Sequence, residues 1–164
     1  MRRVLLMATL MTLAAVIIPF AARAQTKADF SGTWTLDTAK SDPPPQGRGG
    51  GGGGGAATLT IKQTGTELSV MSEGRQGPQT LTYKLDGSES TNQMMGRGGA
   101  TPAKSTAKWD GSNLVIETTR EFNGMSITTK DVRRLDNGGK EMIVETTAQT
   151  PNGEQKRKQV YTKS

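Results

Sequence analysis

Apolar and polar residues alternate with a period of two along much of the chain. Leu59 and Ile61 alternate with threonine and lysine, and Leu81, Tyr83 and Leu85 alternate in the same way. This spacing puts apolar side chains on one face of a β-strand and polar side chains on the other. After residue 24, no segment has a convincing helical period. The pattern therefore predicts an all-β fold.

Turn sequences separate the alternating segments. Asp86-Gly87, Asn123-Gly124 and Asp136-Asn137-Gly138-Gly139 are of the kind that join antiparallel strands, because their central positions need positive φ angles. The segment from Ser88 to Met94 is the weakest strand, since it is nearly all polar. The predicted strands are 32–37, 57–64, 67–73, 79–85, 88–94, 104–110, 113–121, 125–135, 140–150 and 154–162.

Consecutive hairpins predict an antiparallel up-and-down sheet. A sheet of about 8–10 strands would leave unpaired edges unless it closed into a barrel. Two stretches interrupt the strands. Residues 41–56 contain three prolines and a run of seven glycines, Gly49 to Gly55, and are predicted to be a flexible, glycine-rich loop. Residues 96–103, with Gly96-Arg97-Gly98-Gly99 and Pro102, are predicted to be a second long loop.

The first 24 residues have the features of a signal peptide. Arg2 and Arg3 precede an apolar stretch, and Ala22-Arg23-Ala24 resembles a cleavage site. The alternative is an uncleaved membrane anchor. We expect cleavage, a single domain over 25–164, no membrane span in the cleaved chain, and a periplasmic or extracellular location. Cleavage would remove Arg2, Arg3 and Arg23 and so halve the formal net charge of +6. Nucleic acid is therefore not an expected partner, despite the Arg-Gly strings.

The composition bears on chemistry mainly through what it lacks. Without cysteine or histidine the chain has no disulfides, no thiolate nucleophile, no Ser-His-Asp arrangement and none of the usual zinc sites. No phosphate loop, calcium loop or nucleophile elbow is present. Glu117 and Glu121 share one face of the seventh predicted strand and Arg120 lies on the other, and charges on both faces favour a strand that extends past the barrel core into solvent. Asp131 and Arg133 share one face of the eighth predicted strand. We expect no enzyme, no metal and no cofactor.

The start of the first strand carries a recognisable motif, Gly32-Thr33-Trp34. Together with the antiparallel meander and segments such as Tyr83-Lys84-Leu85-Asp86-Gly87 and Lys108-Trp109-Asp110-Gly111, it resembles the lipocalins and the wider calycin superfamily. The whole chain after residue 24 looks like small exported lipocalin-like bacterial proteins. The resemblance implies a barrel closed at one end by the tryptophan, with an arginine from a late strand packed against it.

Up-and-down connectivity sorts the loops between the two ends of the barrel. We call one end the mouth; it takes the connections 38–56, 74–78, 95–103, 123–124 and 151–153. The other, the closed end, takes the tight turns and the start of the first strand. We expect Trp34 and Trp109 to lie close together at the closed end, with Arg133 or Arg134 stacked nearby. The predicted structural residues of the closed end are Gly32, Trp34, Trp109 and Arg133.

Arginine, aromatic and methionine side chains collect at the mouth, where arginine can bind a carboxylate or phosphate. The candidate ligand-binding residues are Arg75, Arg97, Arg120, Phe122 and Met125. The alternative is that they are ordinary solvated loop residues. We favour a barrel that binds a small amphipathic, hydrophobic or anionic molecule. A filled structural or protein-interaction domain of the cell envelope remains the second hypothesis, and the sequence leaves the oligomeric state open.

Overall fold

Ten antiparallel strands make up the fold. The computed structural model describes residues 27–43, 56–74, 77–96, 99–122, 124–150 and 153–164. The strands are β1 (Gly32–Leu36), β2 (Thr58–Gln63), β3 (Glu67–Gly74), β4 (Gly77–Lys84), β5 (Ser90–Gly96), β6 (Gly99–Asp110), β7 (Asn113–Phe122), β8 (Met125–Asp136), β9 (Glu141–Thr150) and β10 (Gly153–Lys163). Within these described residues, no helix is long and apolar enough to cross a membrane.

The strands form one sheet that curls into a nearly closed barrel. Their order is β4-β3-β2-β1-β10-β9-β8-β7-β6-β5, so every neighbour along the chain is a neighbour in the sheet except β4 and β5. The first and last strands pair with each other, with Trp34 opposite Lys163 and Leu36 opposite Tyr161. The predicted all-β, up-and-down barrel is confirmed. The predicted signal peptide, residues 1–24, lies outside the described residues.

Side chains join β4 to β5, the two strands at the ends of the sheet order. The Asn92 side chain accepts a hydrogen bond from the Thr82 N–H at 2.8 Å and donates one to the Thr82 carbonyl at 2.9 Å. The hydroxyl of Ser90 accepts from the Lys84 N–H at 2.9 Å. An asparagine amide contains both an N–H donor and a carbonyl acceptor, as a backbone peptide does, so here it takes the place of a peptide group in the ladder. We call this join the seam.

The prediction of a second long loop over residues 96–103 is wrong. β5 extends to Gly96 and β6 begins at Gly99, so only residues 97–98, which lie outside the described residues, separate the two strands. Pro102 is tolerated inside β6 opposite Gln93. The Gln93 carbonyl points toward β4, where it accepts a hydrogen bond from the Gln79 side chain at 2.8 Å. It therefore does not require a hydrogen bond from an N–H of residue 102, which proline lacks.

The beginning of the predicted loop 41–56 runs beside β10. The Ser41 hydroxyl accepts from the Val160 N–H at 2.9 Å and donates to the Asp37 carbonyl at 2.6 Å. The Asp42 N–H donates to the Lys158 carbonyl at 2.9 Å. Residues 44–55, which contain the glycine run, lie outside the described residues.

The apolar core fills the closed end. Trp34 is completely buried, and its indole N–H donates to the Phe30 carbonyl at 2.8 Å. The Phe30 ring in turn stacks on Trp109, with ring centroids 6.1 Å apart. Phe30, which precedes β1, thus links the two tryptophans. Further buried members of this core are Ile61, Leu68, Ala107, Leu114, Ile116, Met142 and Val144.

The cations over the two indole rings are lysines. Among the described residues, the Lys163 ammonium lies 5.2 Å from the Trp34 ring centroid, and that of Lys27 lies 5.7 Å from the Trp109 ring. The prediction that Arg133 or Arg134 stacks on a tryptophan is therefore wrong. Gly32 makes room for this arrangement: its φ is +134°, and a Cβ there would stand 2.6 Å from Lys163 Cε.

Candidate functional site

The strand register shows which side chains face the barrel interior, which we call the lumen. Ile116, which is buried, lies opposite Asp131 on β8. Asp131 lies opposite Thr146, and Thr146 opposite Arg157. Residues directly opposite in an antiparallel pair share a face of the sheet. This row of β7 to β10 therefore points into the lumen, and residues two positions along each strand do the same.

Arg133 lies inside the lumen, between the apolar floor and the mouth. It is only 7% exposed, and its register partners are Leu114 and Val144. Its Nη2 atom is 4.0 Å from a carboxylate oxygen of Asp131, at the outer limit of an ion pair. Within the part of the chain that the structure describes, its buried Nε and Nη1 atoms have no hydrogen-bond partner. Such donors are costly to bury, which makes Arg133 the most unusual side chain of the interior.

Polar side chains continue from Arg133 toward the mouth. The Asp131 carboxylate accepts a hydrogen bond from the Thr146 hydroxyl at 2.7 Å. Although it faces the lumen, the Asp131 side chain is 27% exposed. Thr118 and Thr129, which face the lumen near it, are also partly exposed, whereas the apolar floor below is buried. The lumen therefore contains space next to this carboxylate that a water-sized molecule can occupy.

Both tyrosines of the protein have side chains in the lumen that feel the positive charge of this guanidinium. Burial raises the pKa of Tyr83 to about 12, while the positive charge of Arg133 acts in the opposite direction. Burial also raises the pKa of Tyr161, whose hydroxyl accepts a hydrogen bond from the Gln159 side chain at 3.0 Å. At neutral pH both phenols are protonated and able to donate. Arg133, Tyr83 and Tyr161 thus form a cluster of hydrogen-bond donors deep in the barrel, which we call the interior donor cluster.

The shifted tyrosine pKa values predict a loss of stability at high pH. Below pH 10 the phenol of Tyr83 is protonated in both the folded and the unfolded protein, so its contribution is complete. Between pH 10.0, the ordinary pKa of tyrosine, and a pH of about 12, the pKa in the folded protein, the unfolded chain loses its proton first, and the contribution declines with rising pH. The free energy of unfolding should then fall by about 1.4 kcal/mol per pH unit for this group.

Denaturant unfolding at several alkaline pH values measures this slope, and the near-ultraviolet absorbance of phenolate follows the ionisation itself. The Y83F variant should show a shallower slope than the wild type, with Tyr161 accounting for the rest. A phenolate signal that develops fully near pH 10 while the fold stays intact would contradict the burial argument.

The candidate residues at the mouth have different positions. Arg120 faces the lumen from β7, opposite Ala103 and Ile127, and burial lowers the pKa of its guanidinium. Met125 begins β8 and is 43% exposed. Phe122 ends β7 opposite Met125, but its side chain is outside the described part. Arg75 and Arg97 also lie outside the described residues.

The interior donor cluster was not predicted from the sequence. Arg133 was expected at the closed end as a partner of tryptophan, and Asp131 was only expected to share its face of the strand. In the structure both side chains face the lumen. A signal was available: Leu135 continues the same alternating face toward the closed end, so the face that bears both charges is also the apolar one.

Two surface pockets of the described residues lie outside the lumen. One, of about 300 Å³, is at the closed end between Lys27, Gln63 and Trp109. The other, of about 390 Å³, lies on the outer face of β7 to β10 between Glu117, Thr147 and Lys156. Both are open to solvent, and neither is lined by a buried polar side chain.

No group of three or more histidine, cysteine or acidic side chains that could hold a metal ion occurs among the described residues. No protein-family model matches the chain, and no curated protein matches it.

Solved structures do resemble this one. An abundant heat soluble (SAHS) protein from Ramazzottius varieornatus is similar with a TM-score of 0.60 and 19% identity, over 85% of this chain and 98% of its own. Zebrafish ileal bile acid-binding protein, solved in complex with cholic acid, gives a TM-score of 0.55 and 16% identity, over 82% and 98%. Human cRBP IV gives a TM-score of 0.52 and 19% identity, over 84% of this chain and 99% of its own. At these identities the likeness shows the fold alone, an antiparallel up-and-down β-barrel.

Proposed function

We propose that this chain is an exported, non-catalytic barrel that binds one small amphipathic anion in its lumen. The ligand enters at the mouth, and its acidic group reaches Arg133. The observation that carries the proposal is the burial of Arg133, which is only 7% exposed, while two nitrogen atoms of its guanidinium lack an acceptor among the described residues. A carboxylate or similar anion would supply that acceptor through charge-assisted hydrogen bonds.

The surroundings of Arg133 support an anion rather than a neutral ligand. The phenols of Tyr83 and Tyr161 add two further donors, since burial keeps both protonated. The Asp131 carboxylate reaches Arg133 only at 4.0 Å through one oxygen, while its other oxygen accepts a hydrogen bond from Thr146. The zebrafish protein of the same fold was solved with cholic acid, itself an amphipathic carboxylic acid. That likeness supports the capacity of such a barrel to enclose an acid of this size.

Isothermal titration calorimetry with charge-matched probes tests the proposal. We expect the protein without residues 1–24 to bind at least one of the anions laurate and cholate with one-to-one stoichiometry. The cationic amphiphile dodecyltrimethylammonium has a chain of similar length to laurate and should give no saturable binding. If neither anion binds, or if the cation binds as tightly as laurate, the proposal fails.

The export step rests on the first 24 residues. Arg2 and Arg3, the apolar stretch and Ala22-Arg23-Ala24 together support cleavage after Ala24 and delivery across a membrane. Sequencing the N-terminus of the protein recovered from its own cells should show a chain that begins at Gln25. A chain that retains Met1 in a membrane fraction would support the anchor instead.

A further inference from the structure

The lumen has two chemically different walls. The first is formed by β1 to β4, which are consecutive neighbours in the sheet. Most of its inward-facing side chains are apolar or aromatic, and the register places them on one face. The polar side chains on this face are those of Gln63, Ser72 and Gln79. We call this the apolar wall; its members are Trp34, Leu36, Leu59, Ile61, Leu68, Val70, Leu81 and Tyr83.

The second wall is formed by β6 to β10, above the apolar floor of the closed end. Its inward-facing side chains are mostly hydroxyls, amides and charged groups. We call this the polar wall; its members are Ser105, Thr118, Arg120, Thr129, Asp131, Arg133, Thr146, Arg157 and Gln159. The two walls occupy different arcs of the same barrel, because strand order runs from β4 to β1 and then from β10 to β6.

The hydroxyls of the polar wall retain hydrogen-bonding capacity after their contacts with each other. Ser105 and Thr118 share a single hydrogen bond of 2.8 Å between their hydroxyls. Thr146 donates to Asp131 at 2.7 Å. Each hydroxyl carries one donor and two acceptor sites, so several sites on each remain for water or a ligand. A saturated acyl chain against this wall would displace water from these groups and return no hydrogen bonds.

From these two walls, and resting on the proposed function, we infer that the ligand is facially amphipathic. It has a rigid apolar skeleton with hydroxyl groups on one face and an acidic group at one end. The bare face packs on the apolar wall, the hydroxylated face meets Thr118, Thr146 and their neighbours, and the acidic group binds Arg133. A hydroxylated polycyclic carboxylate satisfies all three requirements, whereas a fatty acid satisfies only the first and the last.

Calorimetry with cholate and laurate separates the two ligand classes, because both carry one carboxylate and differ in the hydroxylated face. We expect the wild type to bind cholate at least tenfold more tightly than laurate. Laurate binding as tight as or tighter than that of cholate would overturn the inference. The proposed function would survive that result, since it requires only that an anion binds.

A pair of isosteric double variants assigns the preference to the polar wall. T118V/T146V removes two lumen hydroxyls, while T119V/T147V removes two hydroxyls from the outer faces of the same strands. The lumen variant should bind cholate at least tenfold more weakly and laurate no more weakly than the wild type, while the outer variant should keep the wild-type ratio. Circular dichroism and thermal unfolding confirm that each variant folds. An unchanged cholate-to-laurate ratio in a folded T118V/T146V protein would contradict the role of the polar wall.

Discussion

Leucine in place of Arg133 is expected to weaken the binding of an anionic ligand by roughly 10- to 100-fold, the equivalent of a charge-assisted hydrogen-bond contribution of about 1.5–3 kcal/mol. The same change should stabilise the ligand-free protein. The buried Nε and Nη1 atoms of Arg133 have no acceptor among the described residues, and leucine removes their desolvation cost while adding apolar surface beside Leu114 and Val144. We expect a gain of about 1–3 kcal/mol in the free energy of unfolding. Calorimetry measures the first effect, and denaturant unfolding the second.

The adjacent residue provides a matched control. Arg134 is on the outer face of β8, where its guanidinium pairs with Glu145 at 2.8 Å and its side chain is 38% exposed. The R134L variant removes the same charge and adds the same side chain, but it should leave ligand binding unchanged and lower stability by less than about 1 kcal/mol. If R133L destabilises the ligand-free protein strongly and binds anions as the wild type does, Arg133 serves the fold and not a ligand.

Alanine in place of Trp34 should cost about 3–5 kcal/mol of unfolding free energy, the range for truncating a fully buried aromatic residue. Trp34 has no exposed surface, and its N–H donates to the Phe30 carbonyl. Its loss would remove the floor of the lumen and also the hydrogen bond that fixes the segment before β1. Chemical denaturation followed by circular dichroism measures the change.

Two variants separate the contributions of the ring and of its hydrogen bond. W34F keeps an aromatic ring and loses the N–H, so it should cost clearly less than W34A. W109A removes a tryptophan that is only partly buried and that stacks on Phe30, and we expect a smaller loss than for W34A. An equal loss for W109A and W34A would contradict the view that Trp34 is the main closure of the barrel.

Much of the fold could be predicted from the sequence because alternation and turn residues act locally. The bounds of β7 to β10 differ from the predicted ones by a residue or so at each end. β5 was the weak prediction, and the structure gives the reason. Ser90 and Asn92 face inward but bond to the backbone of β4, so polar residues occupy positions where alternation requires apolar ones.

The candidate site was harder to predict because alternation identifies which residues share a face without indicating which face is inward. For β8, one face carries the charges of Asp131 and Arg133, while Leu135 on the same face packs against the core. Only the register across β7, β8 and β9, which brings Ile116 and Thr146 beside Asp131, decides between the two. The cation over Trp34 was missed for a similar reason: Lys163 is 129 residues further along the chain and reaches the ring only through the β1–β10 pairing.

The seam between β4 and β5 also bears on how such a barrel can evolve. A backbone ladder fixes neighbouring strands about 4.7–4.9 Å apart, and its peptide groups are the same whatever the side chains are. At the seam the spacing depends instead on the length and chemistry of residues such as Ser90 and Asn92. A single codon change there can alter the circumference of the barrel without the gain or loss of a strand. Single substitutions at the seam could therefore adjust the width of the barrel to ligands of different size.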